Sequence, residues 1–183
     1  MRKVSKVIKA TLMEFSKLPF EEKELLEAAR LVRRNAQAPY SHYWVGAAVR
    51  SESGKIYVGC NIERASYTQT VHAEDAAVTA MIKTEGRGTK VTAVATVHGP
   101  EGKEISFSDK TEPPKVCKID QLCFACGQCL QLIWENCLGD TKVMLLARTG
   151  WGEIAKTTIG DAYPMRFGPE DLGVDYRKLK AIS

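Results

Sequence analysis

Residues 124–136 of the chain read FACGQCLQLIWEN, and the CGQC motif opens a predicted helix at Cys126. A second motif, HAE at residues 72–74, comes after a predicted strand and opens another helix that ends at Gly86. The N-terminus of a helix carries a partial positive charge and exposed N–H groups, which favour thiolates and carboxylates. The two motifs therefore predict two helix ends that could share one reactive site.

Helices and strands alternate around these motifs. A helix with a buried apolar stripe is predicted between Pro19 and Pro39. The predicted strands cover residues 44–50, 55–62, 91–98, 142–148 and 153–159. Only about five residues join the last two strands, fewer than the dozen or so that a parallel crossover needs, so these strands form an antiparallel hairpin. This order predicts an α/β domain with a mixed sheet covered by helices on both faces.

Composition excludes several classes of protein. The chain has 183 residues and 44% apolar side chains, and no stretch approaches the roughly 18 consecutive apolar residues of a membrane span. No secretory signal peptide is predicted, because the N-terminus lacks a compact apolar region. Four of the six cysteines lie within residues 117–129, a clustering that indicates metal or redox chemistry in a reducing compartment. We therefore expect a cytoplasmic protein.

The net charge of +4 resides in residues 1–18, while residues 19–183 carry 21 basic and 21 acidic side chains. A neutral body offers no track for phosphates and argues against nucleic-acid binding. Apolar residues in the N-terminal segment recur at helical spacing, which predicts an amphipathic helical extension. Two interpretations of this extension remain open: a targeting or membrane-surface segment, or a helix packed on the body or on a partner subunit.

Residues 99–122 are polar and rich in glycine and proline, and they predict a long irregular insertion. Cys123 lies three residues before Cys126. One interpretation is that Cys123 and Cys117 share a second metal, and the alternative is that they are isolated, buried small residues. The remaining candidates are interpreted as structural: Cys60, Cys137, Trp44 and Trp134 as packing residues, and His42 and His98 as surface or capping residues.

The CGQC and HAE motifs together could bind a catalytic metal. Two thiolates, from Cys126 and Cys129, and the imidazole of His72 would leave a fourth tetrahedral position for water, as catalytic zinc requires. Glu74 lies close enough in sequence to reach that water without binding the metal. Each motif alone is weak, since a CxxC pair also occurs in redox sites and structural metal sites.

Together the motifs match the zinc-deaminase signature, H-x-E followed by P-C-x-x-C, except that Ala125 replaces the proline. The resemblance extends along the chain and is to the cytidine deaminases. PYSHYWVGAA at 39–48 resembles PYSxFxVGAA, and GCNIERASY at 59–67 resembles GxNxExASY. CGQCLQ at 126–131 resembles CGxCRQ, and YPMRFGPEDL at 163–172 resembles LPxxFGPxDL.

The resemblance implies roles for individual residues. The implied zinc ligands are His72, Cys126 and Cys129, and the implied proton shuttle is Glu74. The implied substrate-binding groups are Asn61 and Glu63 for the ribose hydroxyls, the backbone N–H of Ala73 for the pyrimidine carbonyl, and the aromatic rings of Tyr43 and Phe167. Tyr43 departs from the family by adding a hydroxyl to a phenylalanine position, on the sugar side of the site.

The implied fold is a three-layer α/β/α cytidine-deaminase-like domain over residues 19–183, with a five-stranded mixed sheet and the two metal-bearing helices side by side. The implied reaction is hydrolytic deamination of cytidine or deoxycytidine in pyrimidine salvage. A deaminase of another aminopyrimidine nucleoside, such as a modified nucleoside or a blasticidin-type antibiotic, and a non-catalytic zinc or dithiol module remain alternatives. The resemblance further implies a homotetramer whose active sites borrow residues from neighbours, with a dimer as the alternative. We expect the tail at 162–171 to close the pocket around a free nucleoside.

Overall fold

The computed structural model describes residues 2–182 of the chain. Its strands are β1 (Thr11–Met13), β2 (Tyr43–Ser51), β3 (Ile56–Cys60), β4 (Val91–Pro100), β5 (Met144–Arg148) and β6 (Ile154–Thr158). Its α-helices are α1 (Phe20–Val32), α2 (Ala73–Glu85), α3 (Gly127–Asn136) and α4 (Ile159–Ala162). Short 3-10 helices cover Phe15–Lys17, Arg33–Asn35, Ile119–Gln121, Pro169–Leu172 and Tyr176–Ile182. Among the described residues, no helix has the length and apolarity needed to cross a membrane.

The six described strands form one mixed sheet in the order β1-β6-β5-β4-β2-β3. β4 and β5 run parallel, with α3 in the connection between them, and the other neighbouring pairs are antiparallel. The predicted antiparallel hairpin of β5 and β6 is therefore confirmed. The parallel pair places the end of β4 and the start of α3 at the same edge of the sheet, where the site is found.

The core lies on both faces of the sheet, as predicted for a three-layer α/β/α fold. Alternate side chains of β2 separate the two faces, because successive residues of a strand point in opposite directions. Ala47 and Val49 pack in the cluster that contains α2 and α3. Ala48 packs in the second cluster, which contains Leu25 and Leu26 of α1.

Close packing of α2 on β3 requires Gly59. A Cβ atom at this position would lie 2.6 Å from the Cβ of Ala76 and 2.6 Å from the backbone nitrogen of Ala77, and still closer to the carbonyl oxygen of Ala73. The missing side chain therefore lets the first two turns of α2 approach the sheet. This contact fixes the position of the helix end that carries the HAE motif.

The prediction of an N-terminal amphipathic helix over residues 1–18 is wrong, and so is the prediction of five strands. Residues 2–10 have no regular secondary structure, and β1 pairs with β6 as a sixth, edge strand. Val4, one of the apolar residues at helical spacing in this segment, is 97% exposed. The free hydrogen-bonding edge of β6 supplies β1 with a partner, and such tertiary pairing overrides a local periodicity. The segment nevertheless packs on the body, where the hydroxyl of Thr157 donates to the carbonyl of Lys9 over 2.6 Å.

The insertion at 99–122 is largely irregular, as predicted, but it contributes to the core. Ile105 and Phe107 are buried in the cluster with α1, and the ring of Phe107 stacks on Phe15 with a centroid separation of 4.2 Å. The base of the insertion is held by the buried guanidinium of Arg33. This group donates to the carbonyl oxygens of Trp44, Lys103 and Pro100 over 3.1, 2.9 and 2.6 Å.

Removing the Phe107 ring should destabilise the protein. Phe107→Ala is expected to lower the free energy of unfolding by about 3 kcal/mol, at the low end for a buried Phe→Ala change. Because the two rings stack, the free energy of unfolding of the Phe15→Ala/Phe107→Ala double variant should fall by roughly 1 kcal/mol less than the two single variants lose together. Urea denaturation measures all three variants.

The matched control for this cycle is Val116→Ala, which removes an exposed apolar side chain from the same insertion. Its effect should stay within about 0.5 kcal/mol. Strictly additive losses for the two phenylalanine variants would contradict the stacking that the structure shows.

Candidate active site

The three predicted metal ligands lie together at one end of the sheet. The Nδ1 atom of His72 is 3.3 Å from the Sγ atom of Cys126 and 3.4 Å from the Sγ atom of Cys129. The three ligand atoms all lie within 4.8 Å of one another. Ligand atoms about 2.0–2.3 Å from a tetrahedral zinc ion lie roughly 3.3–3.8 Å apart, so the two histidine–cysteine distances fit such an ion.

Helix ends position these ligands. His72 is the N-cap residue of α2, and Cys126 is the N-cap residue of α3. The loop before Cys126 is tied to the sheet, because the hydroxyl of Thr96 on β4 donates to the carbonyl of Phe124 over 2.9 Å. Both helix N-termini therefore direct their positive ends toward the thiol groups, which favours the thiolate forms that bind a metal.

The chemistry of the donor set favours zinc. One imidazole nitrogen and two thiols match the Cys₂His set of catalytic zinc sites, which keeps one position for water or substrate. Burial, together with nearby Glu74 and Cys126, raises the pKa of the Cys129 thiol well above its usual range. A divalent cation reverses this tendency, because metal coordination deprotonates a thiol outright. The three residues thus fit one zinc ion.

Glu74 lies in the first turn of α2 and is 6% exposed. Burial raises the pKa of its carboxyl group, against the lowering effects of its own backbone N–H, the Cys129 thiol and His72. A buried carboxyl group with a raised pKa, next to a metal site, is suited to take up and release a proton.

A cavity of about 480 Å³ opens beside the ligands and Glu74. This volume is in the range of sites for small organic ligands. The sequence-predicted residues that line it are Tyr43, Asn61, His72, Ala73, Glu74 and Cys126. Further lining residues that the sequence analysis did not place there are Ser41, Val45, Thr70, Thr96, His98, Cys123, Phe124 and Ala125.

Asn61 and Glu63 lie on the strand-end segment after β3 and are held by local hydrogen bonds. The side chain of Asn61 accepts from the backbone N–H of Val45 over 2.9 Å and donates to the carbonyl of Tyr43 over 3.0 Å. Glu63 accepts from the hydroxyl of Ser41 over 2.5 Å and from two backbone N–H groups. The Ser41 hydroxyl is the main cause that holds the pKa of Glu63 below its usual range. Glu63 is not among the residues that line the cavity.

Phe167 is not brought to the cavity in this chain. Its side chain is 58% exposed, and no described residue of 162–171 lines the cavity. The neighbouring residues explain its position: the guanidinium carbon of Arg166 lies 3.7 Å from the ring centroid of Trp134, and the N–H of Gly168 donates to Asp171. The Arg166 contact anchors the tail on α3, away from the cavity, so the prediction that residues 162–171 close the pocket is wrong for the chain as the structure describes it.

His98 was interpreted as a surface or capping residue, and that interpretation is wrong because its ring lines the cavity. Thr96 and His98 are two residues apart on β4 and therefore share a face of the sheet. The sequence signal that could have placed His98 at the site is the spacing of these two polar residues within a largely apolar strand. The surface prediction for His42 is confirmed, since its exposed ring pairs with Glu101 over 2.7 Å.

The other cysteines form no second group. Among the side chains that the structure describes, the only cluster of three or more metal-binding residues is His72, Cys126 and Cys129. Cys117 is exposed, and Cys137 is buried in the core as predicted. Nothing among these residues supports a second metal shared by Cys117 and Cys123.

The family model for the cytidine and deoxycytidylate deaminase zinc-binding region matches residues 20–146. The chain belongs to the cytidine deaminase family. A cytidine deaminase from Sporosarcina psychrophila is 33% identical over 150 residues, which cover 81% of this chain and 93% of that relative. A cytidine deaminase from Halalkalibacterium halodurans is 34% identical over 149 residues, covering 81% of this chain and 95% of the relative.

A solved structure agrees with this membership of the cytidine deaminase family. The crystal structure of cytidine deaminase from Mycobacterium tuberculosis is 28% identical, with a TM-score of 0.57. The match covers 82% of this chain and 99% of that chain. The resemblance seen in the sequence motifs is thus confirmed at the level of the family and of the fold.

Loss of one thiol ligand should remove the zinc from this member of the cytidine deaminase family. In Cys129→Ser the serine hydroxyl stays protonated at neutral pH and cannot replace an anionic sulfur ligand. Zinc affinity should therefore fall more than about 100-fold, which exceeds the loss typical of changes to residues that only support the ligands. Metal analysis after dialysis against a weak chelator measures the zinc content per chain.

Cys117→Ser is the matched control, since it makes the same exchange in the same cysteine-rich stretch at an exposed position. This variant should keep one zinc per chain. Equal zinc contents in the two variants would contradict the ligand set.

Proposed function

We propose that the protein catalyses the zinc-dependent hydrolytic deamination of cytidine or deoxycytidine, giving uridine or deoxyuridine and ammonia. The observation that carries this proposal is that the three zinc-binding side chains lie together beside a cavity of about 480 Å³, which His72, Cys126 and buried Glu74 line. Membership of the cytidine deaminase family supports the choice of an aminopyrimidine nucleoside as substrate.

Bound zinc supplies the Lewis acid that makes water a nucleophile at neutral pH. Glu74 accepts one proton from the attacking water and passes it to N3 of the pyrimidine ring, and it then takes the remaining proton of the added hydroxyl group and delivers it to the leaving amino group, so that ammonia departs and the product keeps its carbonyl oxygen and N3–H. The raised pKa of its carboxyl group makes the Glu74 carboxylate a stronger base for the proton that it carries between these transfers. Burial of Glu74 also keeps bulk water from competing for the proton.

The start of α2 orients the pyrimidine ring in this proposal. Ala73 is the first residue of α2 and lines the cavity. The first N–H groups of a helix have no partner within the helix, so this N–H is suited to donate to the pyrimidine carbonyl oxygen.

The sugar is held by the segment after β3. Each of the two polar atoms of the Asn61 side chain makes one hydrogen bond to the backbone, which leaves one N–H and one lone pair for a ribose hydroxyl. Glu63 does not itself line the cavity, but it is hydrogen-bonded to Ser41, which does, and its carboxylate can accept from a free hydroxyl at that end of the cavity and would repel a phosphate there. The substrate is therefore a free nucleoside rather than a nucleotide or a polynucleotide.

The complete active site requires more than one chain. We propose a homotetramer, with a dimer as the alternative, in which the exposed Phe167 of one chain contributes to the site of a neighbour. Exposed apolar side chains of the tail, Met165, Phe167 and Leu172, support an interface there. Light scattering should give four times the 20.2 kDa chain mass, and a 20.2 kDa particle at micromolar concentration would contradict the assembly.

We further propose that residues 19–183 carry a single deaminase domain, to which the N-terminal segment adds strand β1 and the stacking ring of Phe15. We also propose that the protein is cytoplasmic, where the zinc-binding thiols stay reduced.

Replacing the carboxyl group of Glu74 tests the reaction. Glu74→Gln should bind zinc normally but release ammonia from cytidine at least about 100-fold more slowly, since general acid–base groups contribute about 10²–10⁴-fold. Ammonia release and zinc content are measured on the same samples.

Asp75→Asn provides the matched control, because Asp75 is the neighbouring acid, its side chain accepts from Thr79, and it does not line the cavity. This variant should retain most of the activity. Full activity in Glu74→Gln would contradict the assigned role, and zinc binding without ammonia release by the wild type would indicate a non-catalytic module.

A substrate panel tests the preference for a free nucleoside. Cytidine should be deaminated faster than its 3′- and 5′-phosphates and much faster than a short cytosine oligonucleotide, because Glu63 repels phosphate and the body of the chain is neutral. Including modified aminopyrimidine nucleosides in the panel identifies an alternative substrate. Comparable rates for the oligonucleotide and cytidine would contradict the preference.

A further inference from the structure

Tyr43 and His98 form a hydrogen-bonded pair in the wall of the cavity. The hydroxyl oxygen of Tyr43 lies 2.6 Å from Nδ1 of His98, and their ring centroids are 5.8 Å apart. Tyr43 begins β2, and His98 lies near the end of the adjacent antiparallel strand β4. Two paired strands thus hold the two rings together, and both rings line the cavity.

The imidazole of His98 is kept neutral by its surroundings. Burial lowers the pKa of His98, and the guanidinium groups of Arg148 and Arg33 lower it further. A neutral imidazole has one donor and one acceptor nitrogen. Nε2 is buried and has no hydrogen-bond partner among the described residues, so Nδ1 makes the one polar contact of the ring that the structure shows.

The hydroxyl of Tyr43 keeps a free hydrogen-bonding position in both tautomers of His98. If Nδ1 is a bare acceptor, the Tyr43 proton points to it and the phenol oxygen is free to accept from a ligand. If Nδ1 carries the proton, it donates to the phenol oxygen and the Tyr43 proton is free to point into the cavity. A hydroxyl group of the ligand can pair with Tyr43 in both cases, because it can donate and accept. A carbonyl oxygen of the ligand only accepts, so it can pair with Tyr43 only in the second case.

The position of the pair indicates which ligand hydroxyl it meets. The carbonyl of Tyr43 accepts from Asn61, and the backbone N–H of Tyr43 donates to the hydroxyl of Ser41, which itself donates to Glu63. These backbone contacts join Tyr43 to Asn61 and, through Ser41, to Glu63, which hold the sugar in the proposed function. The side chain of Tyr43 therefore starts on the sugar side of the cavity, and its hydroxyl reaches from there to His98.

We propose that the Tyr43 hydroxyl, oriented by His98, makes a hydrogen bond to one hydroxyl of the nucleoside sugar and thereby helps to select the substrate. Tyr43 is the specificity-determining residue, and His98 is a positioning residue that acts through it. This inference rests on the proposed function, since it takes a nucleoside as the ligand of the cavity.

The test compares Tyr43→Phe with the wild-type zinc enzyme on cytidine and on its 2′-, 3′- and 5′-deoxy analogues. Tyr43→Phe removes only the hydroxyl, so kcat/KM for cytidine should fall roughly 3- to 10-fold, the effect of one neutral hydrogen bond. The loss should vanish for the one analogue that lacks the contacted hydroxyl and persist for the other two. Equal losses on all four substrates, or no loss on any, would overturn the proposal.

His98 variants separate positioning from general structural support. His98→Ala should reproduce the same analogue-dependent pattern. Combined with Tyr43→Phe, it should change the relative rates on the four substrates little further, because both changes remove the same contact. His98→Gln, which keeps a donor and an acceptor, should restore part of the discrimination. A uniform loss across the analogues in His98→Ala would assign His98 a structural role only and overturn its place in the proposal.

His42→Ala is the matched control, because His42 lies one residue before Tyr43 but is exposed and does not line the cavity. It should leave the analogue pattern unchanged. Ammonia release by the wild type reports on the proposed function, and the pattern across the variants reports on the pair. If the wild type deaminates cytidine but the variants do not show the analogue-dependent pattern, only the proposal for Tyr43 and His98 is overturned. If the wild type releases no ammonia, the proposed function is overturned as well.

Discussion

The site depends on the meeting of two helix N-termini. Each end carries a partial positive charge and unpaired N–H groups, so the two ends are stable beside each other only with anionic groups between them. The sequence supplies acidic groups where the helices begin: Glu74 in the first turn of α2, and two thiols at the start of α3 that become thiolates when they bind zinc. The close approach of α2 to the sheet at Gly59 and the parallel pairing of β4 with β5 bring these ends to one point.

The parts of this arrangement with local signals could be predicted from the sequence. The starts of α2 and α3 were placed within one residue, because the motifs coincide with helix ends and with a glycine at the end of α2. The antiparallel order of β5 and β6 followed from a short connection alone. The zinc-binding residues could also be predicted from the sequence, because they lie at helix ends that local motifs mark.

The rest depended on partners far away in the sequence. The helical spacing in residues 1–18 gave no sign that the edge of β6 would be free to pair with β1. The position of Phe167 is set by the neighbouring contact of Arg166 with Trp134, which no periodicity encodes. His98 looked isolated because its partner Tyr43 lies on another strand, and only the sheet register places the two rings together.

The short β1 strand has a consequence for the behaviour of the protein in solution. An uncovered edge strand offers unpaired N–H and C=O groups to any other extended chain, and such edges promote aggregation. Residues Thr11–Met13 occupy that edge of β6 within the same molecule. The N-terminal arm therefore replaces the five-residue edge of β6 with an edge of three residues, which offers less backbone to another chain, and proteolytic trimming of the arm would expose the longer edge to self-association.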